Sequence, residues 1–298
     1  MRFVIFLSCF LGFATSASAD GTGFSIDNSV TSNSRIQLSV DLDSDVNHLL
    51  VQSFYLDGPQ SNPPPEVDYI AVHNSVFQGN IYLRQGAGHY NLMVFICKLG
   101  PGQTCEFGAQ YKVDNTDSSS HVFDLPAPEI QSDDPLILGL AIRITAGLKD
   151  PLAKARAIHN WIIANKSYDV RDYFSGAYQS MSWDAVTMLG RQSAVCEGYA
   201  NLNAALLRAV GIPAKVVTGT ANPQPNGQEI PITGAGSCNH AWNEVFIDQT
   251  WMLEDPTWDA GYIDASTHQY VARPDNTYFL PDPEVFNMTH RKCADQAL

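Results

Sequence analysis

The spacing of apolar residues changes twice along the chain, and those changes limit the folds open to it. Over residues 24–125 the period is two. "RIQLSVDL" alternates strictly, with Ile36, Leu38, Val40 and Leu42 on one face. "LLVQSFYL", "VDYIAV", "NIYLR" and "HYNLMVFIC" are further short runs rich in β-branched and aromatic residues. Turn clusters such as "DGPQSNPPPE" and "RQGAG" split them. Strands of this length and spacing predict an all-β, immunoglobulin-like sandwich over residues 20–126. The segment 57–66 carries four prolines and is expected to be an exposed loop. His48, His73, His89 and His121 are scattered through this half without metal-ligand spacing.

From about residue 126 the pattern is helical. Asp134-Pro135 and Asp150-Pro151 each set an N-cap before a first-turn proline, ahead of "LILGLAIRITAGL" and "LAKARAIHNWIIANK". In the second segment Leu152, Ala155, Ile158, Ile162 and Ile163 fall near helical spacing. A third helix is expected around "WDAVTMLG". After Gly211-Pro213 the period returns to two in "AKVVTGT", "AWNEVFI" and "TWMLEDPT". Helices followed by strands give an α+β order and a second domain over residues 127–298.

Residues 1–19 read as a signal peptide. Arg2 is its basic region, and "FVIFLSCFLGFA" is an apolar run too short to span a bilayer. "ASA" at Ala17–Ala19 is a small-residue cleavage site. The expected product is secreted or periplasmic and not inserted in a membrane. Without Arg2, the chain holds 16 Lys and Arg against 31 Asp and Glu. Such a balance repels phosphate backbones, so no nucleic-acid partner is expected. Five cysteines follow the signal: Cys97, Cys105, Cys196, Cys238 and Cys293. An odd count leaves one thiol over. Cys97 and Cys105 bracket a Gly-Pro turn, and Cys238 with Cys293 could form a second bridge. The sequence leaves the pairing open.

On that allocation Cys196 is the free thiol. Alone, a secreted cysteine is more often a disulfide half or core filler. Its place adds weight to another role, because "EGYANLNAALLRAV" is helical and Cys196 stands at its start. Unsatisfied N–H groups and the macrodipole at a helix start favour a thiolate. Downstream, "CNHAWNEVFIDQTWMLEDPTWD" reads as a hairpin turning near Asp248-Gln249. Pairing Ile247 with Thr250 makes His240 and Asp255 diagonal neighbours on one face. Singly, they read as a surface histidine and a turn aspartate, the latter outside any core. Together with Cys196 they supply a nucleophile, a base and an orienter.

These segments carry a resemblance. "VCEGYANLNAALLRAVGIPAKVVTG", "HAWNEVFI" and "DPTWD" are similar to the three motifs of the transglutaminase-like superfamily, in the same order. "YFLPDPEVFNMTHRKCADQAL" resembles the tail of secreted members. The resemblance implies a papain-like α+β catalytic core over 127–298, with Cys196 as nucleophile, His240 as base and Asp255 as orienter. It implies an enzyme acting on a protein or peptide substrate through a thioester. The backbone N–H of Cys196 is one oxyanion donor, and Tyr168 and Gln192 are candidates for a second. Trp242 and Trp258 read first as aromatic core, with a substrate-lining role for an acyl chain as the alternative.

No calcium-loop spacing is present, so no metal or cofactor is implied. A metal site from Cys196, His240 and Asp255 matches no common zinc spacing. A binding module with an idle triad is a third reading. Within the enzyme reading, acyl transfer to an amine needs an apolar approach, for which Trp242, Trp251 and Trp258 are the expected walls. Hydrolysis by a cysteine protease or amidase needs only an open site. The polar insert "TANPQPNGQEIPITGAGS" before His240 favours the open site. The resemblance places transfer first, and oligomeric state is not encoded.

Overall fold

The computed structural model describes residues 23–57, 65–72, 75–98, 104–118, 122–222 and 238–293. The signal segment, residues 58–64 of the proline-rich stretch, His73, His121 and residues 223–237 of the insert lie outside these. The chain divides into two compact units, Met1–Pro128 and Glu129–Leu298.

The strands described in the first unit are β1 (Ser25–Ile26), β2 (Val30–Thr31), β3 (Arg35–Asp41), β4 (His48–Tyr55), β5 (Glu66–Ala71), β6 (Val76–Tyr82), β7 (Gly88–Lys98) and β8 (Thr104–Asn115). They form a three-stranded sheet, β1-β3-β6, and a five-stranded sheet, β2-β8-β7-β4-β5. Alternate residues of β3 (Ile36, Leu38, Val40) share one buried cluster with Leu49 and Val51 of β4 and Leu92 and Val94 of β7. Two sheets sharing a core this way make a β-sandwich. The Cys97–Cys105 disulfide joins facing residues of β7 and β8. The β7–β8 register shifts at Val94/Phe95.

The second unit contains α1 (Pro135–Ile144), α2 (Pro151–Asn165), β9 (Ser167–Tyr168), α3 (Val170–Ser175), α4 (Ala185–Gly190), β10 (Ser193–Ala194), α5 (Cys196–Ala209), β11 (Ala214–Ala221), β12 (His240–Ile247), β13 (Thr250–Glu254), α6 (Pro256–Ala260), β14 (Gly261–Ile263), β15 (Tyr270–Ala272), α7 (Pro283–Thr289) and β16 (His290–Lys292). Asp134 accepts from the Leu136 amide at 2.8 Å and Asp150 from the Ala153 amide at 3.1 Å, the two caps that the Asp-Pro pairs predict. An antiparallel sheet runs β13-β12-β11-β16. The β12–β13 register is the expected one, with Ile247 opposite Thr250 and Asn243 opposite Glu254.

Helix α5 is the centre of this unit. It packs on β11 and β12 on one side and on α1, α2 and α4 on the other, with Leu202, Ala205, Leu206 and Leu207 fully buried. A polar pin fixes it to the sheet. Asn243 Nδ2 donates to the Ala200 carbonyl of α5 at 3.0 Å, and Asn203 Nδ2 donates to Asn243 Oδ1 at 3.0 Å. Both asparagines are buried, so displacing either strands polar groups. The pin sets where the start of α5 lies relative to β12.

Candidate active site

Cys196 is the first residue of α5 and is part-exposed; it is the free cysteine among the described residues. Its helix is capped unlike the others. Aspartates cap α1, α2, α3, α4, α6 and α7 through their side chains. The N-cap of α5 is Val195, and no side chain caps that end. No capping side chain therefore occupies the first-turn amides, where the macrodipole favours negative charge, although Glu197 adds its own carboxylate to that turn.

His240 opens β12. Its Nε2 lies 2.6 Å from Asp255 Oδ2, which leaves Nδ1 for its hydrogen bond with Cys196. Burial opposes the charged imidazolium. The Asp255 charge and hydrogen bond outweigh it, and with the Cys196 contact they raise His240 to about 10. The ring is therefore protonated near neutrality. The geometry brings Cys196, His240 and Asp255 into one hydrogen-bonded line.

Asp255 arrives by a different route from the strand-diagonal one. Strand β13 ends at Glu254, because Pro256 has no N–H for a ladder. Asp255 is instead the N-cap of α6. Its Oδ1 accepts from the Thr257 and Trp258 amides at 2.9 and 3.2 Å. Its backbone N–H donates to the Tyr278 carbonyl at 3.0 Å. The side chain is fully buried, so this aspartate belongs to the core after all. Burial opposes its ionisation, but the charge and hydrogen bond of His240, with the hydrogen bond from His290, hold the carboxyl well below the usual range.

His290 was not among the sequence candidates. Its Nε2 lies 3.2 Å from the same Asp255 Oδ2 that His240 meets. It is the first residue of β16, where it pairs with Ala221 of β11. The Cys238–Cys293 disulfide ties the end of this strand to the chain just before His240. That bond was the available signal, since bridging Cys238 to Cys293 must bring His290 near His240.

The remaining candidates separate. Tyr168 pairs with Ala194 across β9 and β10, just ahead of Cys196. Burial, then the Cys196 charge, push its phenol well above the ordinary value, so it is a neutral donor beside the sulfur. Gln192 is exposed, and its carbonyl accepts from the Ser167 amide at 3.0 Å. Trp258 is half-buried, with its ring 5.7 Å from that of His240. Trp242 is 1 % exposed and packs with Tyr278 and Phe286. It is core rather than substrate-lining, because its ring lies against Gly219, where any Cβ would collide with it. Trp251 pairs with Phe246 toward the far end of the hairpin from His240.

Residues 139–256 match the model of the transglutaminase-like superfamily. The kyphoscoliosis peptidases of Mus musculus and Homo sapiens are 30% and 29% identical over 139 residues, 47% of this chain and 20% of each relative's length. Among solved structures, one assigned as a cysteine protease from Cytophaga hutchinsonii is 23% identical, covering 76% of this chain and 72% of its own, with a TM-score of 0.38. Red sea bream transglutaminase is 13% identical, covering 89% and 57%, with a TM-score of 0.32. The family match holds Cys196, His240 and Asp255, and stops short of His290. The stretch similar to the transglutaminase-like superfamily, residues 139–256, lies within the second unit of this chain.

Proposed function

We propose that the chain is an extracytoplasmic cysteine enzyme that cleaves amide bonds of protein or peptide substrates through a thioester on Cys196. The observation that carries this reading is His240, held between the Cys196 sulfur and Asp255 Oδ2. The two disulfides support an oxidising compartment. No helix among the described residues is long and apolar enough to cross a membrane.

The chemistry follows from those positions. The Cys196 sulfur attacks the carbonyl carbon, and its C–N bond breaks as the His240 imidazolium gives its proton to the leaving amine. The Cys196 N–H stabilises the tetrahedral oxyanion, with Tyr168 as the neighbouring second donor. Water then attacks the thioester, His240 takes its proton, and the sulfur leaves. Asp255 keeps the imidazole oriented through both steps and stabilises the imidazolium that precedes the first and follows the second.

Hydrolysis is favoured over transfer because the expected apolar walls are not at the sulfur. Trp242 lies 6.1 Å from the His240 ring but is in the core, Trp251 is at the far end of the hairpin, and Trp258 is the half-buried tryptophan beside His240. The relatives named peptidases agree in direction. Transfer to an amine is the second reading, supported by the Trp258 ring.

One assay decides between them. The protein is incubated with a glutamine-rich protein and a labelled primary amine. New termini or ammonia without label incorporation, lost in Cys196→Ser, mean hydrolysis, and Cys196-dependent label incorporation means transfer. Iodoacetamide labelling tests the pair itself. Cys196 should be alkylated below pH 7 much faster in the native protein than in His240→Ala. Equal rates across pH 5–9 would defeat the reading.

A further inference from the structure

The tail beyond the family match ends in a buried histidine whose contacts the proposed reaction does not use. His290 is 1 % exposed. Its Nε2 faces Asp255 Oδ2 at 3.2 Å and its Nδ1 faces Thr289 Oγ1 at 2.9 Å. Its ring stacks on Phe286 at 3.9 Å and 17°, and lies 4.3 Å from Trp258. Both faces and both nitrogens are therefore fixed. Backbone pairing with β11 and the Cys238–Cys293 disulfide hold the strand that delivers it.

We infer that His290 is a positioning residue of the triad: its Nε2–H holds Asp255 Oδ2 against His240 and keeps that buried carboxylate ionised. This rests on the Cys196–His240–Asp255 reading. A fully buried carboxylate needs donors on every lone pair to stay charged. Two amides serve Oδ1 and His240 serves Oδ2, and His290 completes the set. Titratable groups facing it are Asp255 at the start of α6, His240 from β12 and Tyr278 ahead of α7; the other neighbours are the rings of Trp242, Trp258 and Phe286. Burial disfavours its imidazolium beyond what Asp255 restores and holds the ring below its ordinary value, so it is neutral at and above neutrality. The carboxylate selects the tautomer with the proton on Nε2, and Nδ1 accepts from the Thr289 hydroxyl. A neutral donor supports the Asp255 charge without cancelling it for His240.

Two substitutions separate the donor from the packing. His290→Phe keeps an aromatic ring on Phe286 and removes the N–H. His290→Gln keeps an N–H at a similar reach and removes the ring. Iodoacetamide labelling of Cys196 over pH 5–9 and thermal midpoints are measured for both. His290→Phe should stay folded yet label roughly tenfold more slowly below pH 7, the effect of moving a coupled ionisation by about one unit. His290→Gln should recover most of the rate. A His290→Phe profile that overlays the wild type, or equal slowing in both variants, would overturn the inference. Should the substituted chains fail to fold, the imidazole nitrogen spectrum of the unmodified protein carries the test. His290 should carry its proton on Nε2 across pH 7–9, and an imidazolium or the Nδ1–H form in that range would refute it. Failure of the triad itself looks different: Cys196 in wild type would label no faster than in His240→Ala, whatever occupies position 290.

Discussion

At the scale of single residues the site turns on one carboxylate. Asp255 caps α6 with one oxygen and serves two imidazoles with the other. Its two roles separate by substitution. Asp255→Ala removes the cap and leaves a buried imidazolium unpaired, a loss of about 3–5 kcal/mol. Asp255→Asn keeps an acceptor for the Thr257 and Trp258 amides, but loses the charge and turns an NH2 toward the two imidazoles. Urea melts should therefore show a drop in stability for both, larger for Ala, which loses the cap as well. Both should lose rapid Cys196 labelling below pH 7. A fully stable Asp255→Ala protein would contradict the fourfold accepting role. Cys196, His240 and Asp255 were legible in the sequence because each sits in a motif with a reason of its own: a helix start, a strand start and an Asp-Pro pair. The burial of Asp255 was not, since it follows from the Tyr278 carbonyl and the His290 ring, which the tail brings from far along the chain.

At the scale of elements, β11 and β16 meet where the chain has no side chain to spare. A Cβ on Gly219 would lie 2.1 Å from Trp242 Cη2 and 2.4 Å from the Arg291 carbonyl oxygen. Gly219 also pairs with His240 on one side and Lys292 on the other. Gly219→Ala must therefore push the Trp242 ring or β16 aside, with an overpacking cost of about 1–3 kcal/mol. The displaced strand carries His290. We expect a lower thermal midpoint together with slower Cys196 labelling, and a variant that loses stability while labelling normally would show that β16 can shift without disturbing the site. Period and caps made α1, α2 and the β12–β13 hairpin readable in advance. The α6 turn was read as strand because a five-residue helix has no periodicity to show, and β16 has only three residues. Short elements of this kind are set by the contacts they complete.

At the scale of the whole molecule, two buried histidine–carboxylate clusters of the second unit lose stability as pH rises. Beside the site, His159 is fully buried. Its Nδ1 lies 2.8 Å from Glu254 Oε1. Its Nε2 lies 2.9 Å from Asp259 Oδ2, an ionic contact too bent to count as a hydrogen bond. Burial opposes the His159 charge, but the two carboxylates outweigh it and raise the ring to about 9; His240 stands at about 10. Both folded values exceed the unfolded one of about 6.5, so their stabilisation is complete below pH 6.5 and is lost between there and about pH 9 to 10. Asp259, raised to about 7 chiefly by burial, acts in the same direction from the ordinary carboxyl range upward. Asp255 has the opposite sign: its low folded value gives stability that is present above the ordinary carboxyl range and disappears in stronger acid. The unfolding free energy of this unit should therefore be highest in mild acid and fall across pH 6.5–10, by an amount of order a few kcal/mol. A net charge of −14 at pH 7 adds self-repulsion in the same direction, which added salt relieves. His159→Gln separates the two. Measured in high salt, it should lower the maximum and flatten the decline between pH 6.5 and 9, because Gln bonds to both carboxylates without titrating. A decline equally steep in wild type and His159→Gln would assign the alkaline loss to His240 and surface charge, and would remove the buried His159 pair from the account.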